Sequence, residues 1–226
     1  MSTAQRTALA VVLSLAVLVL GVGLGSVYIP TMEVLRIFGE KLLGISSNTN
    51  HTVSSIVWDI RLPRVLLAYI VGAALSVSGT VMQSVLRNPL ASSYTLGVSS
   101  GASFGAAIII VTGLRLPVFG GFTLPFTGLA FGIITVILAI SFASRLDSNM
   151  ENNTIILVGI VFSLFINAIL TMITALFRDK VAQLTFWQMG SFSLKEWSSI
   201  YILLPIMIML VSILLLFSKE MDILTF

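Results

Sequence analysis

Apolar residues along this chain fall into long runs separated by short polar breaks. A run of about 20 apolar residues, rising 1.5 Å per residue as a helix, crosses the roughly 30 Å hydrocarbon core of a bilayer. The pattern predicts six such helices, at about 7–29, 62–85, 94–112, 118–142, 154–176 and 198–217. The first run is too long for a signal peptide and no small-residue cleavage site closes it, so it reads as an uncleaved span. In the longest polar connection, 30–57, apolar Met32, Leu35, Ile37, Phe38 and Leu42 are interspersed with Glu33, Arg36, Glu40 and Lys41, the pattern of a short interfacial helix. Span four carries Gly120, Gly121, Pro125 and Gly128, which predicts an irregular or kinked first half. The expected fold is an all-α integral membrane protein, a polytopic helical bundle forming one transmembrane domain over residues 1–226.

Within the spans, small and polar residues are periodic. Ala68, Gly72, Ser76, Thr80 and Ser84 recur every four residues and so share one helix face, with Gly79 on the same span. Gly97, Gly101 and Gly105 repeat the device on the next span. In lipid such a stripe lets a second backbone approach closely. Gly72, Ser76, Gly79, Gly97, Gly101 and Gly105 are therefore expected to be helix-packing positions, with spans two and three at the centre of the bundle. On span five, Ser163, Asn167 and Thr171 form a polar face on an otherwise apolar helix. Two readings fit: hydrogen bonding between helices, or the lining of a path through the membrane.

Composition removes most other classes. The 226 residues are 57% hydrophobic and 9% charged, where a soluble domain is about half apolar and a quarter charged. There is no cysteine, hence no disulfide or thiolate metal site, and the single His51 cannot by itself build an imidazole cluster. No Ser/His/Asp grouping or carboxylate pair supports catalysis, and no acid lies inside a span, which weakens an ion-coupled carrier. The net charge of +3 comes without a basic patch interleaved with aromatics, so no nucleic-acid partner is expected. No Gly-x-x-x-x-Gly-Lys-Ser/Thr phosphate loop occurs, so any ATP that drives this chain must be hydrolysed by another.

The motifs Arg61-Leu-Pro-Arg64, Val71-Gly-Ala-Ala-Leu-Ser-Val-Ser-Gly79, Val81-Met-Gln83, Asn88-Pro-Leu-Ala91 and Leu96-Gly-Val-Ser-Ser-Gly-Ala102 stand in order along the first half of the chain. Together they resemble the permease subunits of the iron-siderophore, haem and cobalamin ABC importers. The resemblance implies a non-enzymatic permease of a bacterial cytoplasmic membrane, with its amino terminus inside. It also implies a second permease subunit, two ATPase subunits that carry ATP and magnesium, and an extracytoplasmic substrate-binding protein. No cofactor is expected on this chain, whose other neighbour is membrane lipid. Iron(III)-siderophore is the expected cargo; haem, cobalamin or a non-transporting truncated protein are the alternatives. The family pattern has ten spans, so the end at Phe226 reads as a truncation after the sixth.

The same resemblance assigns residues. Arg61 and Arg64 would dock acidic groups of the binding protein, for which the always-charged, bidentate guanidinium is suited. Ser163, Asn167 and Thr171 would line the translocation path. Asn88 and Leu90, with Glu151 and Asn152 of the second loop in approximate register, would form the inner gate. With the amino terminus inside, Arg36, Lys41, Arg61, Arg64, Arg115, Arg178, Lys180 and Lys195 fall outside, against Arg6, Arg87, Arg145 and Lys219 inside. The positive-inside rule alone favours the opposite orientation; a functional demand for outer cations would account for the excess.

Overall fold

A computed structural model describes residues 2–44, 49–92, 94–118, 120–193 and 196–225, with the backbone alone over 222–225. The described elements are helical. Five helical stretches are long and apolar enough to cross a membrane: Thr3–Gly23, His51–Val85, Gly120–Leu146, Asn152–Leu176 and Trp197–Leu216. A shorter apolar helix, Val98–Thr112, accompanies them. The chain divides into two compact units, 1–75 with 192–215, and 76–191 with 216–226.

In the first unit, α1 (Thr3–Gly23) starts with a capping box in which Ser2 and Gln5 exchange bonds. The amphipathic stretch forms α2 (Thr31–Leu43), closed by Gly44 in the left-handed conformation. The expected span at 62–85 begins eleven residues early. The helix runs from α3 (His51–Ser55), through a π-helical turn at Ile56–Arg61, into α4 (Leu62–Val85). Pro63 explains the π turn. Inside a regular helix its ring would press on the carbonyl four residues back and its missing N–H would orphan that oxygen. In the widened turn Leu62 N–H donates to the Val57 carbonyl, five residues back. A core of Val22, Ile29, Val34, Ile37, Val57 and Leu62 forms beneath Phe38, Trp58 and Trp197. Trp197, at the start of α9 (Trp197–Leu216), donates its indole N–H to the Trp58 carbonyl at 3.1 Å, with ring centroids 5.6 Å apart.

The second unit is built on α5 (Val98–Thr112), α6 (Thr123–Leu146), α7 (Asn152–Leu176) and α8 (Val181–Met189), with α10 (Ser218–Thr225) at its end. Two spans differ from expectation. Span three starts at Val98 and not near 94, because Gly97 at φ 77° breaks the helix and the preceding residues form turns. Such irregular backbone is tolerated in a membrane protein where protein covers it, and Leu96 and Gly97 are buried. Span four is irregular only at Gly120–Phe122; Pro125 lies in the first turn of α6, where no backbone donor is needed, so the helix proceeds without a break to Leu146. Ala107, Ile110, Ile166, Leu170 and Leu184 form the main core of this unit.

Glycines set how closely these helices pack. A Cβ at Gly105 would lie 2.7 Å from the Thr127 carbonyl oxygen, and one at Gly101 2.8 Å from that of Phe131, so α5 rests on the backbone of α6. One at Gly159 would lie 2.9 Å from Leu96 Cα, fixing α7 against the lead-in to α5. The α4 stripe behaves differently. Nothing lies within 4 Å of a Cβ built at Gly72 or Gly79, and Ser76 is exposed, among the described residues. The partner of the α5 glycines is α6, whereas among the described residues no neighbour approaches Gly72 or Gly79.

Candidate functional site

The two arginines of the Arg-Leu-Pro-Arg motif have different surroundings. Arg61 is buried, 9% exposed, and its guanidinium donates to the carbonyls of Val22 at 3.0 Å, Gly23 at 3.1 Å, and Val27. Val22 and Gly23 end α1, so Arg61 places a cation on the negative end of that helix and satisfies carbonyls left without intrahelical donors. Gly25 makes room for it, since a Cβ there would sit 2.8 Å from Nη2. Arg61, expected together with Arg64 to dock the binding protein, is engaged inside the fold by these backbone carbonyls. Arg64 is half-buried, and its Nε is buried without a hydrogen-bond partner.

The path residues lie in the second unit. Ser163 and Asn167 line a cavity of about 420 Å³ together with Tyr94, Ser99, Ser100, Ser103, Leu170 and Gln188. The Ser163 hydroxyl is engaged with the Gly159 carbonyl at 2.9 Å. Thr171 does not line this cavity; its hydroxyl donates to the Asn167 carbonyl at 2.9 Å. The α5 serines and Gln188 were not anticipated from sequence. The i, i+4 spacing of Ser99 and Ser103 was readable, but it lay within a run of Gly, Ser and Ala that suits packing equally well.

Two loops meet around a cavity of about 610 Å³ lined by Val85, Leu86, Arg87, Asn88 and Pro89 from one and Met150, Glu151, Asn152 and Asn153 from the other. Asn88, Glu151 and Asn152 are thus brought together; Leu90 is 86% exposed and does not line the cavity. Each loop has its own device. After α4, Arg87 N–H bonds the Ser84 carbonyl at 3.2 Å and Asn88 N–H that of Gln83 at 3.1 Å, a Schellman motif. Its left-handed position is filled by Arg87 at φ 45°, where glycine is usual. The Asn88 side chain accepts from Leu90 N–H at 2.9 Å. In the second loop, Asp147 accepts from the N–H groups of Glu151 at 2.8 Å and Asn149 at 2.9 Å, and from the Thr154 hydroxyl at 3.2 Å. The Glu151 and Asn149 donors hold its carboxyl below the ordinary aspartate range. Met150 is also left-handed, at φ 53°. Two non-glycine residues in this sparsely populated region therefore face one cavity, and such strain is typical of functional loops.

No group of three or more acidic or histidine residues among the described residues could hold a metal ion. The sequence pattern of the FecCD transport family matches residues 12–226. The chain is 39% identical to the ABC transporter permease protein YvrB of Bacillus subtilis over 92% of its own length and 60% of that protein's. It is 30% identical to the molybdate import permease MolB of Haemophilus influenzae over 93% and 60%. Other relatives are named as permeases for Fe(3+)-citrate, hemin and vitamin B12. Among solved structures, an inward-facing ABC transporter of metal-chelate type superposes with TM-score 0.75 and 26% identity, over 95% of this chain and 62% of that one. The chain therefore spans about three fifths of the length of these relatives. This multi-pass membrane protein belongs to the FecCD transport family.

Proposed function

We propose that this chain acts as the transmembrane permease subunit of an ABC importer whose cargo is an iron(III)-siderophore. The observation that carries the reading is the family match over residues 12–226 on a chain with five membrane-length helices. The names of its relatives range over chelated iron, haem, cobalamin and molybdate, and the neighbouring structure is of metal-chelate type. In the proposed assembly a second permease subunit and two ATPase subunits complete the transporter, and an extracytoplasmic binding protein delivers the ligand. Arg64, with its unpartnered buried Nε, is the docking cation. Arg61 supports it from within. The loops around Asn88 and Glu151 form the inner gate, and Ser163 and Asn167 belong to the path.

The test is uptake by the complete transporter in a strain lacking its own iron importers. Radioiron supplied as a siderophore accumulates, and radiocobalt-labelled cobalamin does not; the reverse result moves the cargo to cobalamin. Orientation is read from single cysteines at Leu43 and Ser148, both exposed. With the amino terminus inside, an impermeant maleimide labels Leu43→Cys in intact cells and leaves Ser148→Cys untouched.

A further inference from the structure

At one end of the second unit, the last turn of α5, the first turn of α6 and the start of α8 surround a cavity of about 700 Å³. Its walls are mostly apolar, with buried Ile109 and Ile110 from α5 and half-buried Leu124 from α6. Gly113, Gly120 and Gly121 leave it open, since a Cβ built at any of them meets nothing within 4 Å. Two cations line the same concavity, Arg115 from the α5–α6 connection and Lys180 from the turn before α8. Among the described residues, no acid lines it. The cavity between the two gate loops, by contrast, carries Arg87 and Glu151 together. Arg115 and Gln183 make no hydrogen bond or ion pair among the described residues. Lys180 pairs at 3.6 Å with Asp179, whose side chain is exposed, an association worth little in water. Cations that merely snorkel to water need no apolar concavity beneath them.

We propose that this cavity binds an anionic phospholipid, with Arg115, Lys180 and Gln183 on the phosphate headgroup and the upper acyl chains against Ile109, Ile110 and Leu124. Guanidinium and ammonium groups are the usual partners of phosphate oxygens, and basic pockets between membrane helices suit lipid headgroups. Depth agrees. The 24 residues of α6, at 1.5 Å each, outreach the ~30 Å hydrocarbon core, so its first turn lies at headgroup level. Size agrees as well: about 700 Å³ is roughly two dozen water volumes at ~30 Å³ each, far more than a free phosphate fills. An acidic protein segment would answer the cations but leave the apolar walls unmet. With the amino terminus inside, Arg115 and Lys180 are two of the outer cations that the positive-inside rule leaves over. A bound lipid phosphate compensates both, and the site does not depend on the transport reading.

The experiment titrates the full chain, purified in a neutral detergent, with phosphatidylglycerol carrying a fluorophore on one acyl chain. Unlabelled phosphatidylglycerol, phosphatidylcholine, inorganic phosphate and a hexaglutamate peptide serve as competitors. Wild type should bind the labelled lipid saturably and release it to phosphatidylglycerol far more readily than to the other three. Arg115→Ala/Lys180→Ala should weaken binding about thirtyfold and, without lipid, melt as wild type does. Arg115→Lys/Lys180→Arg should retain binding, because both charges remain. Gly121→Leu places a side chain in the open space with both cations intact, at a residue whose φ is not left-handed, and should lose binding too. Where Gly121→Leu fails to fold, the two charge variants decide. Undiminished binding in the folded double alanine variant would overturn the site. Phosphatidylcholine competing as well as phosphatidylglycerol would overturn the headgroup assignment. Displacement by inorganic phosphate as effective as by phosphatidylglycerol would make this a free-anion site. Displacement by hexaglutamate but not by phosphatidylglycerol would make it a protein-docking face. Either result overturns the lipid.

Discussion

The Arg61 guanidinium donates to the Val22 carbonyl at 3.0 Å, joining the foot of α4 to the end of α1 across 39 residues of sequence. With its bonds to Gly23 and Val27 this cation is committed inside the fold. Arg61→Ala should therefore act on stability, by about 2–4 kcal/mol, since it removes a buried charged donor from the Val22 and Val27 carbonyls, while Gly23 keeps the Ile29 N–H at 3.2 Å. Gly25→Ala should act through the same contact, because its Cβ would meet Nη2 at 2.8 Å. Thermal unfolding in detergent should show the double variant losing less than the sum of the singles. Strict additivity would mean that Gly25 and Arg61 are not coupled.

Arg87 occupies the left-handed position of a Schellman motif at φ 45°. A non-glycine residue there costs about 1 kcal/mol. Arg87→Gly should raise the melting temperature slightly and preserve assembly, while slowing transport if the side chain serves the cavity it lines. Gain of stability with undiminished uptake would leave Arg87 without a functional role.

Asp147 has a predictable pH signature. Backbone donors from Glu151 and Asn149 lower its folded-state pKa. Its contribution is therefore fully present above the unfolded value of about 3.9 and is lost as pH falls through the lowered folded value. The stability gap between wild type and Asp147→Ala should be constant from neutral pH down to about 5 and close below that. Limited proteolysis of the 147–151 loop across this range is the measurement. A gap that widens on acidification would contradict the assigned bonds.

The glycines should separate into two classes. Gly105→Ala and Gly159→Ala force backbone apart, at 2.7 Å from Thr127 O and 2.9 Å from Leu96 Cα, and should each cost about 1–3 kcal/mol. Gly72→Ala and Gly79→Ala meet nothing within 4 Å and should be neutral or stabilising by up to about 1 kcal/mol through helix propensity. Thermal unfolding of the purified chain reads all four.

The sequence by itself determined that this chain is helical and membrane-bound, because hydrocarbon solvent leaves the backbone no other way to satisfy its polar groups over a long apolar run. It also placed the loops after α4 and α6, since Asn88-Pro89 and the polar residues from Asp147 to Asn153 cannot continue a buried helix. Periodicity located the small-residue faces but not their partners: an i, i+4 repeat states which residues share a face, not what that face meets. Only tertiary structure set the α5 glycines against α6 and, among the described residues, left Gly72 and Gly79 open. Only it turned Arg61 inward, onto carbonyls at the end of α1 that no hydrophobic pattern records. Only it gathered Ser99, Ser103, Asn167 and Gln188 into one cavity, because contacts among three separate helices depend on how closely their backbones approach, which is set by packing and not by spacing along the chain.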